Sequence, residues 1–544
     1  MQCLIRCCAT LLLVLAFPFL TLADIKVGKL LDESVEIGTT STLLLEYRHD
    51  NYDAGVTEND RLVNLLGRIN LRVGWKWFRA SVRLDGLQFL YRSTLCRNRN
   101  DNSPDKANLP ICRVRLQKDY RVGQFQVTYR SRMLTLSGGF VTEQFGRGLV
   151  LSLRKVDEVG IDLSLLGGRG QLRLGDHTLT VLGGAVSHTE VDFASLEFID
   201  DPFDVVTGIR YEVLLANTVT LGAHYVFSHL MKTADQGGFA RYHLPGLSLQ
   251  VPELGKHLSL EVEGALLWRD ASSLEQGLGY AMFASLNGSF GPVSSLLEFK
   301  YYRNFRFGGD VSPRLLYHEP PSLERLDQQV PNNNNVFGGR FRLSAQLWGG
   351  KSVPFLNVLL YTLNMNTQQD PMTGDATRLA YHVYVGLEQK IGITHLKLSF
   401  GTRRDFFVYR EDSPLTPRLY RLVWRTDGSF SVPLGRHSIE AKWEHRWETR
   451  QAFQTLNFIK GRGTLTYGFS PWLTIAFLVS WDTSKAESIQ PHVLIGGEIQ
   501  GKFGRWGQIK IFGGGLHGGL VCVSGSCRNL PTFTGVRTEF VLRI

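Results

Sequence analysis

The sequence predicts an all-β protein, a transmembrane antiparallel β-barrel of about 24–26 strands with a polar, net basic lumen. Three observations lead there. A secretory leader opens the chain and no later apolar run is long enough for a membrane helix; segments alternating in polarity follow from about Thr39; and short turns alternate with long polar loops. A chain that spans a membrane without helices must do so as a closed set of strands.

Residues 1–23 read as a signal peptide: Arg6 supplies the positive charge, residues 9–22 the apolar run, and Ala23 the small residue at the cleavage position. The mature chain then starts at Asp24. A signal anchor is the alternative, but the run is shorter than the ~20 residues of a spanning helix and contains Pro18. Residues 24–38 are expected to form a short periplasmic or lumenal segment and residues 39–544 the barrel, with no room for a globular plug before the first strand.

A mean hydropathy of −0.08 fits a soluble protein and a barrel equally, because lipid-facing and lumen-facing residues average out. The 56 glycines and 11% aromatics favour β structure. The formal charge of +10 is spread along the chain, which argues against a nucleic-acid-binding arm. Cys3, Cys7 and Cys8 fall in the leader, leaving Cys96, Cys112, Cys522 and Cys527. Pairing Cys96 with Cys112 and Cys522 with Cys527 closes two short polar loops and suits an oxidising compartment. A four-thiolate metal site is the rival reading, and only one pair has a suitable spacing.

The alternation is clearest from His437 to Trp447. Ile439, Ala441, Trp443 and Trp447 lie on one face, and Ser438, Glu440, Lys442, Glu444 and Arg446 on the other. Leu396, Leu398 and Phe400 oppose Lys397, Ser399 and Arg403; Leu422, Trp424 and Phe430 oppose Arg421, Arg425, Asp427 and Ser429. Leu473, Ile475, Phe477, Val479 and Trp481 form another apolar face. A soluble sandwich would alternate too, so the connections decide. Short turns at Gly74-Trp75-Lys76, Gly291-Pro292, Gly349-Gly350, Pro433-Leu434-Gly435 and Ser470-Pro471 alternate with long loops at 49–60, 93–111, 308–335 and 366–375. This is the asymmetry of periplasmic turns and surface loops. With both termini periplasmic, both cysteine loops face outward.

Trp75, Trp77, Trp348, Trp472 and Trp506 sit by short turns, and Trp268 and Trp447 near the opposite strand ends, as two aromatic girdles require. The last strand alternates to the carboxyl end, with Val536, Thr538, Phe540, Leu542 and Ile544 against Arg537, Glu539 and Arg543. It resembles the terminal signature read by barrel-assembly machinery, although Ile replaces the usual final Phe.

Closure of the up and down directions gives about 26 strands, or about 24 if one hairpin within 140–170 lies inside the lumen. In that region Phe145-Gly146-Arg147-Gly148-Leu149, Arg154-Lys155, Gly160-Ile161-Asp162 and Gly167-Gly168 resemble the amino-terminal signature of a family of uncharacterised, porin-like large outer-membrane barrels of Bacteroidota and deltaproteobacteria. The resemblance covers about thirty residues and implies the barrel fold; it implies no activity.

The expected lumen face carries Lys397, Arg403, Arg421, Arg425, Lys442, Arg446, Lys460, Arg462, Arg537 and Arg543 against Asp405, Asp427, Glu440, Glu444 and Glu539. One reading is a net-positive conduit that concentrates anions; the other is cross-strand pairing that holds the wall in shape, with a weak anion preference left over. No nucleophile elbow, zinc-binding helix motif or metal-ligand cluster appears, so no enzyme, cofactor or metal is expected. Asn287-Gly288-Ser289 matches a glycosylation sequon inside an expected strand. The expected partners are the lipid bilayer and the barrel-assembly machinery at the final strand, with a lumenal or periplasmic protein as a further candidate. The reading is an outer-membrane conduit for polar solutes, anions among them, with the 308–335 loop as a candidate lid or constriction. Two alternatives stand beside it: a sheath or export channel for a secreted partner, and a surface polysaccharide-binding barrel with a closed pore.

Overall fold

The computed structural model describes residues 25–30, 33–50, 61–92, 119–156, 161–186, 190–191, 198–199, 204–216, 218–231, 239–269, 278–305, 317–318, 335–363, 378–407, 419–451, 455–484, 491–523, 526–530 and 532–543. Its 24 wall strands run from Glu33–Arg48 to Phe533–Arg543, each antiparallel to both neighbours. The first and last pair directly, with Leu43 opposite Phe540 and Glu46 opposite Arg537, so the sheet has no free edge there. A further strand, Ile25–Leu30, folds back on the start of Glu33–Arg48, with Ile25 opposite Ile37, just before the last strand takes over at Thr40.

Among the described residues, the tight turns between wall strands gather at one end. The turn from Phe239–Leu254 to Leu258–Arg269 is typical: Gly255 and Lys256 have φ of 65° and 62°, the left-handed pair that matches strand twist. Trp77, Trp348, Trp472 and Trp506 stand exposed at this end. The long connections occupy the other. The expected loops at 93–111 and 366–375 lie outside the described residues, as do 51–60 and most of 308–335.

The wall has an apolar outside. Ile209, Leu247, Met282, Leu360, Phe400, Trp424, Phe477 and Ile495 are all exposed, and their immediate neighbours Arg210, Gly246, Phe283 and Val423 point inward. On that outer face, Trp443 lies across Gly428 and Trp481 across Gly461, and a side chain on either glycine would collide with the indole. An exterior of this kind, on a closed barrel of this size, places the chain in a bacterial outer membrane.

The strand count turns on residues 142–164. Leu134–Val141 pairs directly with Leu165–Leu174, so everything between them leaves the wall. It forms two small hairpins, Glu143–Phe145 with Leu151–Leu153 and Lys155–Val156 with Ile161–Asp162. Of the two expected counts the structure has the lower, 24, with the doubtful hairpin inside the lumen. The largest apolar cluster sits here, inside the barrel: Phe145, Leu149, Val150, Leu151, Leu153, Val156 and Leu163 pack on the inward residues Leu182, Val206, Val226, Leu244, Ala265 and Tyr302.

Candidate functional site

The candidate site is the lumen with its inward segment. Phe145 and Val150 enter places where the wall has no side chain. A Cβ on Gly208 would lie 2.9 Å from Phe145 Cε2, and one on Gly246 would lie 2.6 Å from Val150 Cγ2. Polar contacts fix the same tip. The Arg147 amide donates to Glu263 Oε2 at 2.7 Å, and the Arg147 guanidinium lies 3.2 Å from Glu261 and over the Phe283 ring. Arg210 sits over Phe145 and donates to the Gln144 carbonyl at 3.0 Å, while Arg169 pairs with Glu143. Farther along, Lys155 pairs with Asp162, and Asp162 accepts from the Ser164 amide at 3.0 Å. Burial pushes the Arg154 guanidinium down to about 10, so it stays charged at neutral pH.

The connection between Val293–Arg303 and Asn335–Ala345 joins this assembly through its described residues. Tyr317 is fully buried, accepts from the Ser152 amide through its carbonyl (2.7 Å) and donates its hydroxyl to Asp204 at 2.5 Å. His318 packs edge-on against Phe305. Part of the expected lid thus lies inside the barrel, against the 142–164 segment.

A second, smaller apolar cluster of Phe283, Val336, Leu359, Tyr361 and Ala380 lies on the inner wall, and beyond it the wall carries many charged pairs. Among the described residues, at least seven of the ten expected lumen cations lie in ion pairs. Lys397 meets Glu388 at 2.5 Å and Lys442 meets Glu440 at 2.7 Å. Arg425 contacts Asp427 at 2.5 Å and Glu444 at 3.8 Å; Arg446 and Arg462 also reach Glu444, the latter at 3.3 Å. Lys460 pairs with Asp482 at 3.1 Å, and Arg537 with Glu46 across the closing seam at 2.6 Å. Arg403 and Arg421 are buried in the wall, and Arg543 is exposed at the turn end. Register explains the grouping: Arg425, Arg446 and Lys460 lie side by side on three strands, and Asp427, Glu444 and Arg462 form the next row.

Sequence reasoning missed the residues that hold the inward segment, Glu261, Glu263 and Arg210, and the two seam residues Glu46 and Arg48 that accompany the expected Arg537. The signal available was local. Glu46 and Arg48, like Arg83 and Asp85, are opposite charges two apart on one strand, hence on one face, and both pairs form. Cys522 stands directly opposite Cys527 between Gly519–Val523 and Ser526–Leu530, at the loop end; Cys96 and Cys112 lie outside the described residues. Asn287-Gly288-Ser289 does lie within a strand, Gly279–Phe290.

These features define a large outer-membrane β-barrel whose inner wall is partly covered by a segment of its own chain. No protein-family model matches the sequence, and no curated protein is similar to it. Among solved structures, the siderophore receptor PirA from Pseudomonas aeruginosa is similar at 8% identity over 93% of this chain and 80% of that one, with a TM-score of 0.46. The P pilus usher PapC translocation pore is similar at 8% identity over 93% and 99%, TM-score 0.42. The outer membrane protein OpdK from Pseudomonas aeruginosa is similar at 12% identity over 68% and 93%, TM-score 0.38. At these identities the likeness concerns the barrel fold alone.

Proposed function

We propose that this barrel is a porin-like conduit for polar solutes that favours anions, with the 142–164 segment narrowing one side of the lumen. The observation that carries the reading is the inner wall of the strands from Thr394–Phe407 to Leu473–Asp482. It is lined by ion pairs instead of the apolar cluster found on the other side, as a hydrated passage requires. Within most of these pairs the cation reaches farther into the lumen than its carboxylate. Arg462 is 73% exposed over a Glu444 that is 16% exposed, and Lys442 is 60% exposed beside a Glu440 at 38%. A passing ion therefore meets guanidinium and ammonium groups first, and the summed field draws anions.

We further propose membership of the porin-like family that the signature around Phe145 to Gly168 resembles; those residues build the inward segment. Liposome swelling tests the conduit. Vesicles carrying the purified barrel should swell in small neutral sugars at rates that fall steeply with solute size. No swelling, combined with constant co-purification of a second protein, would favour the sheath; tight binding of surface polysaccharide to a barrel that does not swell would favour the closed surface receptor.

A further inference from the structure

Below the inward segment, towards the turn end, the lumen wall contains a polar recess of about 570 Å³. Its floor is ordered by register. Ser259 lies opposite Asn287, Asn287 opposite Leu296, and Leu296 opposite Arg342, so four neighbouring strands contribute one row. The next row towards the turns is Ser289, Ser294 and Ser344. The row on the loop side holds Glu261, which meets Arg147 of the inward segment, so the recess lies one row towards the turns from the segment's tip.

Arg342 differs from the paired cations described above. It forms no ion pair among the described residues, and its guanidinium is steadied 5.4 Å above the Phe355 ring. Its neighbour Arg340 is committed, donating to Asn357 Oδ1 at 2.6 Å and pairing with Glu298 at 3.3 Å. The recess thus combines a planar cation outside any ion pair, Arg342, with hydroxyls and a carboxamide that both donate and accept, and Leu296 between them, while Glu253, Lys256 and His257 line its turn end. A guanidinium presents two parallel donors to a carboxylate. Hydroxyls and carboxamides match the alternating donors and acceptors of a sugar ring, and Leu296 offers a surface to its C–H face. Strands ~4.8 Å apart make the row from Ser259 to Arg342 about 14 Å long, enough for one or two sugar rings.

We infer that this recess binds an acidic sugar, with the carboxylate on Arg342 and the ring hydroxyls on Asn287 and the serines. The inference rests on the conduit reading and names its solute class: mono- or disaccharides bearing a uronic acid. Saturation-transfer NMR on the detergent-solubilised full chain tests it without requiring conduction, using glucuronate, glucose and acetate as probes. Glucuronate should bind; glucose and acetate, each carrying half of the recognised chemistry, should bind far more weakly. Arg342→Gln should weaken glucuronate roughly 10- to 100-fold, the loss of a charge-assisted hydrogen bond. Asn287→Leu should weaken glucuronate while leaving acetate unchanged, and gel mobility before and after heating would report that both variants fold. Acetate binding as tight as glucuronate, or an Arg342→Gln variant that binds normally, would overturn the proposal. A barrel that swells liposomes but ignores glucuronate would refute the recess alone, whereas glucuronate binding to a barrel that does not conduct would refute the conduit alone.

Discussion

Replacing Gly208 and Gly246 together with valine puts side chains where Phe145 and Val150 now lie. The first added carbons alone would sit 2.9 Å and 2.6 Å from those side chains, well inside contact distance. Overfilling a packed site costs about 1–3 kcal/mol, so two well-separated sites penalise the docked segment by roughly 2–6 kcal/mol. That lowers its docking equilibrium constant on the order of 30- to 20,000-fold relative to wild type. The wall itself should not suffer, because valine is favoured in strands and both positions face the lumen. Single-channel recording in planar bilayers should show a larger mean conductance for the double variant, and hydrogen exchange should show faster exchange across 143–163. Displacement of the segment by exchange, with conductance unchanged, would refute the claim that it narrows the passage. Unchanged exchange would refute the packing argument itself.

Glu46→Ala leaves Arg48 and Arg537 without their shared carboxylate at the seam between the first and last strands. Loss of one partner of a buried pair costs ~3–5 kcal/mol, so the temperature at which the folded band disappears on semi-native gels should fall clearly. Phe477→Arg, on the lipid face, should cost about 2–4 kcal/mol and reduce folding into vesicles, while Ala476→Lys, facing the lumen one residue away, should fold normally. Cys522 and Cys527, opposite each other in a hairpin at the loop end, should resist alkylation until reduced, as mass spectrometry of the unreduced chain would show.

The fold was legible where the two faces of a strand meet different media. Between Thr394–Phe407 and Leu473–Asp482 one face meets lipid and the other water, and a period of two appears at once. From Leu165–Leu174 to Val293–Arg303 the pattern is blurred for a physical reason: Leu182, Val206, Val226 and Leu244 are apolar yet face inward, because the 142–164 segment covers them. Apolar residues on both faces of consecutive strands were thus the available sign that something fills that side of the lumen. The segment itself reads as a doubtful wall hairpin, since its short apolar runs are buried on all sides. The residue types of the lumen were legible too, but their partners were not. That Arg425, Arg446 and Arg462 share Glu444 depends on the register of three strands, which one-dimensional alternation does not encode.

The reversal potential of the purified barrel in a KCl gradient tests the central claim most directly, because it reads openness and lining charge in one number. A hydrated lumen whose cations project beyond their carboxylates predicts a sign that reports chloride preference, moving towards zero when Arg462, Lys442 and Lys397 are changed to glutamine. A potassium preference, or no measurable current through folded barrels, would contradict it.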